Sequence, residues 1–177
     1  MSKKTLATVW LDGCSGCHMS FLDLDERLVG ILDKADLVYS PLVDIKKFPD
    51  MVDIALIEGA VSSNEDQEKV RNIRRHTRCL VSLGDCAVNS NVPGMRNYFK
   101  VEELFNRGYF ENATRNPRVP DVGLPQLLKR ACPVHEVVQV DFFIPGCPPS
   151  ADAIHFVLNE LLDDRIPDIS QLTRFGA

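Results

Sequence analysis

The sequence is most informative first in what it lacks. No stretch of its 177 residues approaches the roughly 18 consecutive apolar residues of a membrane span, so no bilayer crossing is expected. Charge of one sign is not in excess: 20 Lys and Arg stand against 25 Asp and Glu, a net charge of −5. Phosphate-backbone binding therefore has no global electrostatic support, and nucleic acid is not an expected partner. Low-complexity tracts and internal repeats are missing. With 45% hydrophobic and 25% charged residues, neither wholesale disorder nor a collagenous chain fits. Cysteine is scarce. Six residues fall far short of the roughly 8% typical of a disulfide-stapled secreted scaffold. The opening residues run directly into a strand-like segment, without an apolar signal core or a twin-arginine pair, which makes the expected compartment the cytoplasm.

What is present reads as one α/β domain over residues 1–177. Apolar, β-branched runs at Thr5–Leu11, Asp36–Pro41, Val52–Ile57, Cys79–Leu83 and Val137–Ile144 read as five strands. Between them, apolar residues at helical spacing predict a helix from Ser20 to about Lys34 and a last one with Ser150 as N-cap and Ile154, Val157, Leu158, Leu161 and Leu162 on one stripe, while a polar helix fits Asn64–His76 and Met95–Asn106 reads as helical. Residues 107–123 read as a long irregular excursion of the functional or interfacial kind. Strands alternating with helices predict a flavodoxin-like, doubly wound parallel sheet, with its site outside the carboxyl ends of the strands.

That prediction gives the cysteines a common address. Cys14 follows the first predicted strand, Cys86 the fourth and Cys147 the fifth, with Cys17 completing a C-x-x-C and Glu58 closing the third strand. A pair of cysteines at this spacing serves redox dithiols, zinc sites and iron–sulfur sites alike. A dithiol needs neither Cys86 nor Cys147, and structural zinc usually draws its ligands as two close pairs. Four thiolates on three loops suit a cubane 4Fe–4S cluster. Spacing alone leaves all three open. Gly13, Gly16, Gly84 and Gly146 each neighbour one of these cysteines, where small residues allow tight turns and close backbone approach. Cys79 and Cys132 read as small buried hydrophobes, and His18 as a solvated or interfacial side chain with a proton-carrying or cluster-bonding alternative. Glu58 reads as shaping the cysteine loops or an interface, or as carrying protons. The run Lys69, Arg71, Arg74, Arg75, His76 and Arg78 reads as a solvated helix face.

Four segments carry a resemblance: Leu11-Asp12-Gly13-Cys14-Ser15-Gly16-Cys17, Glu58-Gly59-Ala60, Gly84-Asp85-Cys86-Ala87 with Val92-Pro93-Gly94 after it, and Pro145-Gly146-Cys147-Pro148-Pro149. In this order they resemble the small subunits of nickel-iron hydrogenases. The resemblance implies that Cys14, Cys17, Cys86 and Cys147 hold one proximal 4Fe–4S cluster facing a nickel-iron site in a separate large subunit. The chain ends about 30 residues past Cys147 without a further cysteine, which is similar to the one-cluster small subunits of cytosolic bidirectional, NAD-reducing hydrogenases. Diaphorase subunits carrying flavin and iron–sulfur centres are then implied as further partners. Many relatives carry Glu two places after the second cysteine; this chain has Met19, so no carboxylate role transfers there. The iron–sulfur subunit of respiratory complex I is a related alternative, although its first motif has adjacent cysteines where Ser15-Gly16 intervene here. A flavodoxin-like FMN module is the third reading; its phosphate loop would compete with the cysteines after strand one, and Ser62-Ser63-Asn64 is a slight substitute.

Overall fold

The computed structural model describes residues 3–173. In chain order it runs β1 (Lys4–Trp10), α1 (Gly16–Leu22), α2 (Arg27–Lys34), β2 (Ala35–Tyr39), β3 (Val52–Glu58), β4 (Val61–Ser63), α3 (Asn64–Arg75), β5 (Thr77–Leu83), α4 (Asp85–Asn89), α5 (Asn91–Gly94), α6 (Val101–Asn106), β6 (Leu127–Cys132), β7 (Phe142–Ile144) and α7 (Ala151–Leu162). Five strands form a parallel sheet in the order β2-β1-β3-β5-β7. Counted along the chain, that is the 2-1-3-4-5 order of flavodoxin-like sheets, as the alternation of strands and helices predicts.

Side chains alternate between the two faces and build two cores. Leu6, Leu56, Val81 and Ile144 point to one, closed by Phe21, Leu24 and Ile31 from α1, α2 and the turn between them and by Ile154, Val157 and Leu158 from α7. Ala7, Val9, Ala55, Ile57 and Leu80 point to the other, under Val70 and Ile73 of α3. Because both faces are covered, β3 is buried along nearly its whole length, which is why it reads as a continuous apolar run rather than an alternating one.

Register matters most for the site. Trp10 pairs with Glu58, Glu58 with Leu83, and Leu83 with Ile144. Four strands thus end on one row, and the segments holding Cys14, Cys86 and Cys147 leave the sheet side by side.

Several elements differ from the sequence expectation. The helix expected from Ser20 to Lys34 is two helices, broken where Asp25 adopts a positive φ of 54°. The strand expected over Val137–Ile144 is reduced to its last three residues, because Val137, Val138 and Val140 pack on the second core from an irregular segment. The helix expected over Met95–Asn106 splits into a 3-10 turn, Met95–Tyr98, and α6, separated by extended Phe99 and Lys100. A two-stranded antiparallel ribbon, β4 with β6, was not expected. Asn97 serves as its side-chain neighbour, accepting from the Ala131 N–H and donating to the Ala131 carbonyl, both at 2.8 Å. Of the irregular excursion expected over residues 107–123, Arg107–Glu111 is instead a π-helical turn continuing α6, and the irregular segment runs over residues 112–126.

Candidate metal centre

Cys14, Cys17, Cys86 and Cys147 line one cleft of about 90 Å³ at the carboxyl end of the sheet, together with Gly16, Glu58, Asp85, Gly146 and Pro148. Each arrives by a local device. After β1 the chain is pinned to the end of β3: the Leu11 N–H donates to the Glu58 carbonyl, and Asp12 and Ala60 exchange backbone hydrogen bonds. This leaves Cys14 at the exposed rim and carries Cys17, buried, into the first turn of α1. Gly84 ends β5 at φ +82°, and Cys86 follows in α4. Asp85 locks this turn to the third segment. Its N–H donates to the Gly146 carbonyl at 2.8 Å and its carboxylate accepts from the Gly146 N–H at 2.7 Å. Cys147 then stands exposed opposite.

The glycines expected to matter do so unequally. A Cβ on Gly84 would collide with the Cys17 sulfur, and one on Gly146 would lie 2.6 Å from the Pro149 Cα. Gly13 and Gly16 are tight but less so, with nearest atoms at 3.2 Å.

Glu58 is the buried acid of the cleft, 1% exposed. Its carboxylate accepts from the backbone N–H of Cys17 at 3.4 Å and of His18 at 2.9 Å, and pairs with the His18 imidazole through Nδ1. It therefore occupies backbone donors at the start of α1 that have no partner within the helix, where helix geometry favours an anion. His18, expected to be solvated or interfacial, is instead 4% exposed, because its ring is drawn in to pair with the buried Glu58 carboxylate at the end of β3. The two partners are 40 positions apart, so sequence reasoning missed the pair; only the Glu58-Gly59 strand end hinted that this carboxylate faces the cysteines.

The electrostatics of the thiol set are unfavourable to negative charge. Burial pushes the Cys17 thiol far above its ordinary range, and Glu58, Cys86, Cys14 and Cys147 add to the rise. Cys86 is raised by burial, against which the Val92 N–H bonded to its sulfur works, with Cys147, Cys14 and Glu58 pushing upward again. The four thiols sense one another, and ionising them together calls for cationic charge in the cleft. All four cysteines line the one cleft. Four thiols lining one cleft fit the all-thiolate donor set of a cubane cluster.

The other singled-out residues lie elsewhere. Cys79 packs against the first core and Cys132 against the second, both half-buried. The basic run is less solvated than expected. Arg74 bonds Asp141 and the carbonyls of Thr77, Arg78 and Gln139, Arg78 pairs with Asp53, and Lys69 donates to the Trp10 carbonyl. Ser62 and Ser63 donate their N–H groups to the Asp66 carboxylate, and the Ser63 hydroxyl accepts from the Asp66 N–H. The start of α3 is thus capped by the chain's own acid.

A doubly wound parallel sheet with a thiol-lined cleft at its strand ends defines an α/β protein of the flavodoxin-like class. The family described as NADH ubiquinone oxidoreductase, 20 Kd subunit, matches residues 14–161, and the chain belongs to it. It is 42% identical to the delta subunit of the NAD-reducing hydrogenase HoxS of Cupriavidus necator, over 98% of this chain and 86% of that one. It is 34% identical to the iron-sulfur subunit of the F420-non-reducing hydrogenase of Archaeoglobus profundus, over 92% of this chain and 57% of that one. The crystal structure of an NAD+-reducing [NiFe]-hydrogenase in the H2-reduced state superposes with a TM-score of 0.94 at 41% identity, covering 99% of this chain and 100% of that one. The resemblance to hydrogenase small subunits therefore holds over nearly the whole chain.

Proposed function

We propose that this chain is the electron-transfer small subunit of a nickel-iron hydrogenase, carrying electrons between a nickel-iron large subunit and an NAD-reducing diaphorase module of flavin and iron–sulfur subunits, for the overall reaction H2 + NAD+ = NADH + H+. Cys14, Cys17, Cys86 and Cys147 would hold one 4Fe–4S cluster, which when bound supplies one-electron storage at a potential set by its surroundings. The observation that carries this reading is the meeting of four thiols from three separate strand ends in one cleft. The 42% identity to the delta subunit of an NAD-reducing hydrogenase supports the choice of partners.

The chain's own residues divide the work. Cys17 and Glu58 form the buried floor, while Cys14 and Cys147 stand at the exposed rim where a partner subunit can approach. Asp85 fixes the distance between the Cys86 and Cys147 segments. Gly84 keeps space for the Cys17 sulfur. No residue of this chain is assigned to hydrogen chemistry itself. A cytoplasmic location goes with this reading; among the described residues no helix is long and apolar enough to cross a membrane.

Anaerobic purification tests the proposal. Iron and acid-labile sulfide in equal amounts, a reducible 4Fe–4S EPR signal lost on Cys17→Ser, a co-purifying nickel subunit and H2-dependent NAD+ reduction are expected. A chain holding zinc alone, or no metal, would sink it.

A further inference from the structure

The segment after Cys86 is bent in a way that the fold alone does not require. Ser90 closes α4 in the left-handed region at φ 69°, and Asn91 follows at φ 21°. Two consecutive non-glycine residues with positive φ are strained, since the Cβ crowds the backbone. The bend is held from several sides. The Ser90 N–H donates to the Cys86 carbonyl at 3.1 Å, the Asn91 N–H to the Asn89 side-chain oxygen at 2.9 Å, and the Gly94 N–H to the Ser90 carbonyl at 2.8 Å.

Its effect is to aim a donor at sulfur. The Asn91 Nδ2 donates to the Cys147 Sγ at 3.4 Å, across 56 positions of sequence. The turn that follows Cys86 thus reaches a thiol on a different loop. A metal-bound cysteine sulfur carries no proton, so only the NH2 end of the Asn91 amide can face it favourably. N–H···S bonds stabilise the more electron-rich, reduced state of an iron–sulfur centre and raise its potential. Cys147 is exposed, so the Asn91 amide supplies a fixed protein donor at a sulfur that the fold does not otherwise cover.

We propose that Asn91 sets the potential of the centre, by donating its side-chain amide hydrogen to the Cys147 sulfur from the strained Ser90–Asn91 turn. This inference rests on the assignment of the four cysteines as cluster ligands. The backbone strain is what makes the site specific: asparagine, glycine and aspartate tolerate positive φ better than other residues, and of the three only asparagine supplies the donor.

The test uses the full-length chain, purified anaerobically, with iron content and the midpoint potential read by EPR-monitored potentiometry. Asn91→Gly keeps the turn and removes the amide; Asn91→Asp keeps the shape and replaces the donor with an acceptor. Both are expected to retain about four irons per chain and to shift the potential downward, the aspartate variant further than the glycine one. Full iron with unmoved potentials would overturn the inference while leaving the cluster assignment standing. Loss of iron in both variants would also overturn it, because Asn91 would then be a fold element rather than a tuning group. A wild-type chain without iron would remove the cluster assignment itself, and the inference with it.

Discussion

At the residue scale the cleft is governed by two kinds of crowding. Glu58 is a charge problem. A buried carboxylate beside four thiols persists because two backbone N–H groups and the His18 ring satisfy it, and an unsatisfied one would cost several kcal/mol. Gly84 is a space problem. At φ +82° it sits where L-residues are strained, and a Cβ would overlap the Cys17 sulfur and lie 3.5 Å from the Gly146 carbonyl. The carbonyl lies at ordinary contact distance, so the clash is with the sulfur, which cannot yield cheaply because it lines the cleft. Gly84→Ala is therefore expected to destabilise the chain by about 1–3 kcal/mol and, more tellingly, to lower iron content. Urea unfolding and iron analysis of the anaerobic protein read the two effects separately. An alanine variant with full iron and wild-type stability would show that Gly84 and Cys17 do not approach each other this closely.

At the element scale, α3 shows how local chemistry fixes a boundary. Ser63 caps it in a reciprocal box with Asp66 while also forming the end of β4. Ser63→Ala is expected to cost about 1 kcal/mol, seen as a lowered unfolding temperature with iron content unchanged; a larger loss accompanied by loss of iron would mean that β4 supports the cleft directly. The same helix was legible in the sequence as a polar segment between two apolar strands, while its capping box emerges only in the structure. So were β1, β3 and β5, whose apolar runs are long enough to be buried on both faces. The β4–β6 ribbon was not legible, because β6 is mostly exposed, carries Lys129 and Arg130, and finds its partner more than 60 residues away. Nor was the shortening of β7. Val137, Val138 and Val140 are apolar for a tertiary reason, covering the second core, and the Leu80 N–H that a longer strand would engage is taken by the Asp141 carboxylate. The four cysteines were legible as a set because topology alone sends strand ends to one edge, whereas the His18–Glu58 and Asn91–Cys147 contacts depend on register and on turn geometry that no spacing rule encodes.

At the scale of the whole molecule, the two ends of the sheet have different tasks. The carboxyl end gathers thiols, strained turns and a buried acid, all features that favour a bound group over stability. The opposite end carries compensating ties. Asp53, at the start of β3, accepts from the Thr5 N–H at 2.8 Å and the Thr5 hydroxyl at 2.9 Å, and pairs with Arg78 at 3.2 Å, joining β1, β3 and β5. Burial on its own would raise the Asp53 pKa, but the two Thr5 hydrogen bonds and the Arg78 charge outweigh it and hold the carboxyl below its ordinary value. A folded pKa below the unfolded one means that the stabilisation is complete above the unfolded value of about 3.9 and disappears as pH falls through the folded value. Asp53→Asn should accordingly lower stability by about 1–2 kcal/mol at pH 7. The gap to wild type should narrow steadily below about pH 4, as the wild-type carboxyl takes up its proton. Urea unfolding of both proteins at a series of pH values measures the gap directly. A constant difference down to about pH 3 would assign the loss to altered packing rather than to charge, and would move the anchoring of the sheet's amino end from Asp53 to the neighbouring core.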